Sequence, residues 1–406
     1  MSVSFDNTEI AFASKSDSNL RQSYWLFRII SNPIIVLIGK WLTYIAVILH
    51  IPIKWLIKPT IFKQFCGGET VLESREKMNE LAKQNIKSIL DYSAEGKHDE
   101  SDFDRCMDEI LSIIKEASEN KNIGFAVFKP SGLARFALLE KVSNGGMKDE
   151  LGRAAAPVTH LQSQFLTEFE KKEFDRVHER FNRICKAAHD ANVPIFIDAE
   201  ESWTQQAVDG LVNEMMTLYN REKPIVYNTF QMYRRDRLEY LIECFVRAQR
   251  GNYLLGAKLV RGAYMEKERE RAQSMNYLSP IHKSKEMTDS YYDSGLRFCL
   301  RHLDRIAFCA ATHNENSSMV VVQEMQENNI PANHPHIYFS QLLGMSDHIS
   351  YNLAATGYHV SKYVPYGPVR EVLPYLIRRA QENTAVKGQT GRELSLILKE
   401  RQRRKK

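Results

Sequence analysis

From about residue 85 onward, short apolar runs rich in β-branched residues alternate with longer charged segments of helical period. The runs are Ser88–Tyr92, Ile123–Lys129, Pro194–Ala199, Pro224–Gln231, Leu254–Gly262, Ile306–Thr312, His336–Leu342 and Tyr358–Tyr363. They are continuously apolar rather than alternating, the mark of strands covered on both faces, as parallel strands are. The intervening segments, such as Glu168–Ala191 and Arg234–Arg250, repeat apolar residues at helical spacing. Eight strands with helical crossovers predict an α/β chain closed into a (β/α)8 barrel of TIM type. A doubly wound open sheet is the alternative. No GxGxxG follows any of the strands, which weakens it.

The first part of the chain has a different texture. Residues 1–20 are polar and Ser/Asn-rich, and are expected to be mobile. Residues 21–84 read as a helical arm, 85–390 as the barrel and 391–406 as a basic tail. Within the arm, Ile34 to Ile53 is nearly long enough for a membrane span, which needs about 20 apolar residues. However, Lys40, Thr43, His50, Lys54 and Lys58 fall on one side of a helical wheel, and Pro52 interrupts the run. A polar stripe at helical period predicts an amphipathic helix pair, packed on the catalytic domain, lying at a membrane surface, or both.

Composition narrows the class. With 43% hydrophobic and 26% charged residues, the chain is ordinary for a globular protein. A net charge of +5 is only mildly basic, and the basic run Arg401–Lys406 reads as a solvated tail, so no nucleic-acid partner is expected. The six cysteines form no CxxC and no His pair has zinc spacing, which predicts buried free thiols and no metal site. Asp6, Glu9 and Asp17 in an N-terminus without an apolar core argue against a secretory signal and a transit peptide.

Residues at the C-terminal ends of barrel strands face a common site. The tips here carry Lys129, Asp198, Gln231, the run Lys258-Leu259-Val260-Arg261-Gly262-Ala263-Tyr264, the run Ala311-Thr312-His313-Asn314, Leu342, and Tyr363 through Gly367. The next helix carries Tyr375, Arg378, Arg379 and Glu382. Each has a plain structural reading alone. Lys129 and Asp198 can be a buried ion pair, His313 a core histidine, and Arg378 with Arg379 a solvated face. Polar groups ending nearly every apolar strand are costly as mere packing, at about 2–7 kcal/mol for each unpartnered one.

These residues resemble the proline dehydrogenase family. The resemblance runs from about Ser88 to Asn383 and is carried by the Lys-Leu-Val-Arg-Gly-Ala-Tyr and Ala-Thr-His-Asn runs and by Tyr363–Gly367 followed by Tyr375–Asn383. It implies a distorted barrel holding FAD. By the same resemblance, Arg378 and Arg379 bind the proline carboxylate, which suits the guanidinium fork. Lys129 and Asp198 lie at the substrate end, and Tyr264, Leu342, Tyr363 and Tyr375 wall the substrate ring. Gln231, Lys258, Arg261, Gly262, Thr312, His313, Asn314 and Glu382 match flavin-binding positions, with Lys285 and Thr288 as a further contacting segment. Lys258 stands where many bacterial relatives have arginine. The charge is kept and the planar fork is lost.

The resemblance implies oxidation of L-proline to Δ1-pyrroline-5-carboxylate, with electrons passed to a membrane quinone. The expected partners are that quinone, a peripheral membrane surface and a downstream pyrroline-5-carboxylate dehydrogenase. The expected setting is the bacterial cytoplasmic membrane, or the mitochondrial inner membrane in a eukaryote. Two other chemistries stay open: a hydroxyproline dehydrogenase, disfavoured by the full-size Tyr363, and a Schiff-base enzyme using Lys129 or Lys258.

Overall fold

The computed structural model describes residues 3–49, 51, 53–93, 99–145, 166–385 and 389–405. His50 of the expected polar stripe and Pro52, expected to interrupt the apolar run, lie outside them, as does the side chain of Glu382. Eight strands form: β1 (Ile86–Tyr92), β2 (Ile123–Phe128), β3 (Ile195–Ile197), β4 (Val226–Gln231), β5 (Leu255–Val260), β6 (Ile306–Ala311), β7 (Ile337–Leu342) and β8 (Val360–Tyr366). Their order closes a barrel, β1 through β8 in sequence. Pairing is parallel where the ladders are described, for example Ile89 opposite Tyr363 and Thr229 opposite Lys258. Every residue of β2 and β4 is buried, as continuous apolar runs require.

By internal contacts the chain divides into two compact units. The first comprises Met1–Gly96 and Ser340–Lys406, with β1 and β8; the second is Lys97–Phe339, with β2 to β6. In the second, Phe125 and Phe196 stack at 4.1 Å, and Tyr227 and Tyr338 meet the Phe125 ring edge-on at 5.5 and 4.8 Å. This aromatic plug fills the strand interior with rings in their preferred geometries. Gly256 lets β5 approach β4 here, since a Cβ would lie 2.3 Å from the Val226 carbonyl oxygen.

In the first unit, Phe12, Leu20, Phe27, Phe62 and Phe65 from the N-terminal arm bury with Val372, Leu376, Leu396 and Ile397 from helices Val369–Ala385 and Gln389–Arg403. Both terminal stretches contain helix. The N-terminal stretch contains a helix, Thr8–Ala11, capped by the Asn7 side chain, and it buries Phe5 and Phe12. A few large apolar residues, each contributing about 1.5–3 kcal/mol when buried, order an otherwise polar stretch. The basic tail is largely a helix. Leu396 and Ile397 are buried, Glu400 pairs with Arg403 and Arg404, and Arg404 also donates to the Phe12 and Lys15 carbonyl oxygens.

The apolar run forms the helix Pro33–Ile48. Among the described residues no single helix is long and apolar enough to cross a membrane. Its described side chains are mostly uncovered, with Ile34 67% and Trp41 60% exposed, and Trp55 follows at 74%. Lys54 and Lys58 are turned instead to Glu69, at 2.8 and 2.6 Å. All six cysteines are buried and none is in a disulfide, and burial pushes the Cys244 thiol up to about 12.

Gly256→Ala should lower unfolding stability by about 1–3 kcal/mol through overpacking. Gly391→Ala, in an open position of the C-terminal helix, should raise it by about 1 kcal/mol. Denaturant titration of both variants checks the pair.

Candidate active site

In the second unit, the tips of β2 to β6 carry two linked groups of polar side chains. The first centres on a buried ion pair. Lys258, on β5, places Nζ 2.6 Å from Asp198 Oδ1, just past β3, and lies 5.4 Å from the Phe196 ring. Asp198 receives Lys258 across the strand ends. Gln231, the last residue of β4, donates through Nε2 to the Glu200 carbonyl oxygen at 2.7 Å. The Glu200 carboxylate accepts from the Ser131 N–H and hydroxyl, at 2.9 and 2.6 Å, and feels the charge of half-buried Lys129. The loop after β3 is clasped from outside by the helix Met265–Ser274. Glu268 accepts from the Ser202 N–H and hydroxyl at 2.6 Å each, Lys267 pairs with Glu201, and Arg271 stacks 4.3 Å over Trp203.

The second group is built on Arg261, just past β5. Its guanidinium donates to Asp289 Oδ1 at 2.7 Å, Thr312 Oγ1 at 2.7 Å and Ser317 Oγ at 2.8 Å, and lies 4.3 Å over the Tyr292 ring. Lys285 reaches the other oxygen of Asp289. Burial alone would raise the Asp289 carboxyl, but Lys285 and Arg261 together hold it below its usual range. Asn314 caps the helix Glu315–Glu327 by accepting from the Ser317 N–H at 3.1 Å. Thr288 is buried one turn into the helix Lys285–Leu300. Gly262 takes φ +127°, and a Cβ there would meet the Tyr233 ring at 2.5 Å, so both backbone and space demand glycine. Tyr264 and His313 stand half-buried at their tips. Both ring nitrogens of buried His282, three residues before Lys285, lack a protein hydrogen-bond partner.

The first unit supplies the remaining set. Tyr363 and Tyr375 are buried and Leu342 is half-buried. The Leu343 N–H donates to the Tyr363 carbonyl oxygen at 2.8 Å, which joins the end of β7 to β8. On the helix Val369–Ala385, Arg379 is buried with its guanidinium 5.3 Å from the Tyr375 ring, and Arg378 is half-buried.

Glu200, Ser131 and Glu268 did not stand out as site residues in the sequence. The run Asp198-Ala199-Glu200-Glu201 was the available signal. Burial pushes the Glu200 carboxyl up to about 7, against the Ser131 hydrogen bonds, with Glu201 adding to the rise. A folded-state value above the unfolded one, about 4.3, means the fold retains a proton that the unfolded chain releases. The stabilisation is present below the unfolded value and is lost as pH rises towards 7. Glu200→Gln should therefore flatten the fall in melting temperature between about pH 4.5 and 7. A wild-type slope retained in Glu200→Gln would rule this out.

Comparison with known proteins bears on this arrangement as a whole. The family model described as proline dehydrogenase matches residues 74–392. A mitochondrial proline dehydrogenase 1 of Dictyostelium discoideum is 35% identical over 379 residues, covering 87% of this chain and 66% of its own length. The carbapenem antibiotics biosynthesis protein CarD of Pectobacterium carotovorum is also 35% identical, over 84% of this chain and 83% of its own. A crystal structure of proline utilization A from Bdellovibrio bacteriovorus, inactivated by N-propargylglycine, superposes with a TM-score of 0.70 at 16% identity. That match covers 93% of this chain and 38% of the other, and shows the shared fold. This chain thus spans just under two thirds of the Dictyostelium relative and well under half of the Bdellovibrio protein. With its barrel, its strand-tip residues and a model match over most of its length, the chain belongs to the proline dehydrogenase family.

Proposed function

We propose that this protein oxidises L-proline to Δ1-pyrroline-5-carboxylate with FAD as cofactor, as the first step of proline catabolism, and passes the electrons to a membrane quinone. The observation that carries the reading is the Arg378–Arg379 pair beside Tyr375. It offers two cations, one of them held against the Tyr375 ring, to a small cyclic amino acid. Guanidinium forks match a carboxylate bidentately, and stacking on Tyr375 limits the freedom of Arg379. Leu342, Tyr363 and Tyr375 give the ring an apolar wall and keep water from the C–N bond.

The donor set of the second unit fits a flavin nucleotide. Gln231 and Lys258 are buried donors, Arg261 is fixed by three acceptors, and Thr312, His313 and Asn314 lead into a helix N-terminus suited to phosphate. The idle nitrogens of His282 near Lys285 and Thr288 are a further sign of room for a hydrogen-bonding ligand. Gly262 gives the backbone its close approach. Bound FAD would supply the two-electron acceptor for the hydride leaving proline C5. Lys258, steadied by Asp198, holds a positive charge in place to balance the negative charge gained on reduction. Lys129 adds a cation at the substrate end. Proline enters with a neutral amine, its ammonium proton already given to bulk water; hydride loss from C5 turns the C–N bond into C=N, and the product gives up its N–H proton to bulk water on release.

The uncovered apolar face with Trp25, Trp41 and Trp55 supports a peripheral membrane position, where a quinone resides. A pyrroline-5-carboxylate dehydrogenase would consume the product. The cytoplasmic face of a bacterial membrane is the proposed location, or the mitochondrial inner membrane in a eukaryotic source.

Three measurements test this reading. Added L-proline should bleach the flavin absorbance band without oxygen, and a preparation that takes up no flavin would remove the assignment. Arg378→Met should raise the proline KM by about 100-fold with flavin content unchanged; an unaltered KM would cancel the carboxylate role. The double change Trp41→Glu and Trp55→Glu should weaken co-sedimentation with liposomes by at least about tenfold.

A further inference from the structure

Behind the substrate wall lies an ion cluster that the proposed chemistry does not use. Lys362 follows the strand rule that neighbouring side chains face opposite sides, so it points away from the face Tyr363 presents. It is 0% exposed. Its ammonium donates to the Met345 carbonyl oxygen at 2.5 Å, Asp347 Oδ1 at 2.8 Å and the Leu342 carbonyl oxygen at 3.3 Å. Three donors thus meet three acceptors, while burial outweighs the pull of Asp347 and holds the ammonium below its usual range. The second oxygen of Asp347 takes Lys15 of the N-terminal segment at 3.0 Å. Burial alone would raise the Asp347 carboxyl, but Lys362 and Lys15 outweigh it and hold it well below its usual range.

The acceptors belong to one short loop that begins at Leu342. The loop is bent at two left-handed residues, Gly344 at φ +74° and Ser346 at φ +51°. The second is unfavourable for a residue with a Cβ and persists where its surroundings fix it. Those surroundings are the chain's two ends. Buried Glu393 of the C-terminal helix accepts the Ser346 N–H. The Ser14 hydroxyl meets the Tyr351 hydroxyl at 2.9 Å, and the Phe5 ring packs edge-on against His348 at 6.5 Å. Gln64 of the arm donates to the Gly344 carbonyl oxygen at 2.9 Å.

We propose that Lys15 and Lys362, acting through Asp347, are positioning residues that fix the Leu342 wall, so that the N-terminal segment takes part in substrate recognition. This rests on the proline-oxidising reading above, in which Leu342 bounds the ring. A misplaced wall weakens ring binding before it affects the chemistry at C5, since the arginines and cofactor residues are untouched.

Lys15→Met tests the clamp in the full-length protein, because Lys15 is only partly buried and β8 keeps its own Lys362–Asp347 pair. Hydrogen exchange at residues 342–347 should rise by about tenfold, with β2 to β6 unchanged. The proline KM should rise by about 5–10-fold with kcat within about twofold and flavin content constant. Lys15→Arg should restore both readouts. Unchanged exchange in the loop overturns the clamp. A parallel loss of kcat, flavin content and KM overturns it too, since that marks general destabilisation. If the wild type does not oxidise proline, the functional reading falls, and the exchange measurement still decides whether Lys15 holds the loop.

Discussion

A charge taken out of water must find an opposite charge or a full set of dipoles, and that requirement shapes this barrel more than its apolar core does. Strands of Val, Ile, Leu and Phe pack in many registers at similar cost. Lys258 has far fewer choices. Buried on β5, it needs Asp198, and the contact ties the end of β3 to that of β5 across the intervening strand. Lys362 does the same on β8, binding the loop after β7 through one carboxylate and two carbonyl oxygens. Arg261 draws together Asp289, Thr312 and Ser317 from three separate elements. Each buried charge settles the placement of a loop that hydrophobic packing leaves open, and those loops carry the residues expected to meet substrate and cofactor.

Such an arrangement suits a site that works mainly by orientation. In the proposed reaction the guanidinium pair and the aromatic wall of the first unit would orient the substrate. Preorganised dipoles act without reorganisation at the moment of reaction. The second unit concentrates the groups that suit a nucleotide cofactor, and the first concentrates those that suit a small carboxylate. The helical clasp on the β3 loop, through Lys267, Glu268 and Arg271, holds that loop in the second unit. The Lys362 cluster holds the loop after β7 in the first.

The strands were readable in the sequence because their signal is local. Continuous apolar runs marked all eight within a few residues of their ends, and the helix Glu168–Asp190 was outlined by its own period. The strand tips were readable as a set once the motifs were recognised. Their partners were not. Asp198 and Lys258 are 60 residues apart, with nothing local to pair them. Lys15 and Asp347 come from opposite ends of the chain. The N-terminal stretch looked polar because Phe5, Phe12 and Leu20 are outnumbered, yet burial depends on where side chains can reach rather than on local averages. The C-terminal helix was hidden in the same way, its arginines neutralised by Glu400 and Asp17. Wherever long-range electrostatics chose the partner, the one-dimensional pattern was silent.

The six shielded thiols have a practical corollary. Metal capture and disulfide exchange both need a thiolate; desolvation raises the Cys66, Cys185, Cys244 and Cys299 thiols, and burial keeps all six sulfurs out of reach while the fold is intact. An additional cysteine engineered on the surface would therefore react with a maleimide long before the native ones. A spin label or fluorophore can be attached at a chosen loop of the wild-type background, with no cysteine-free parent to be made first.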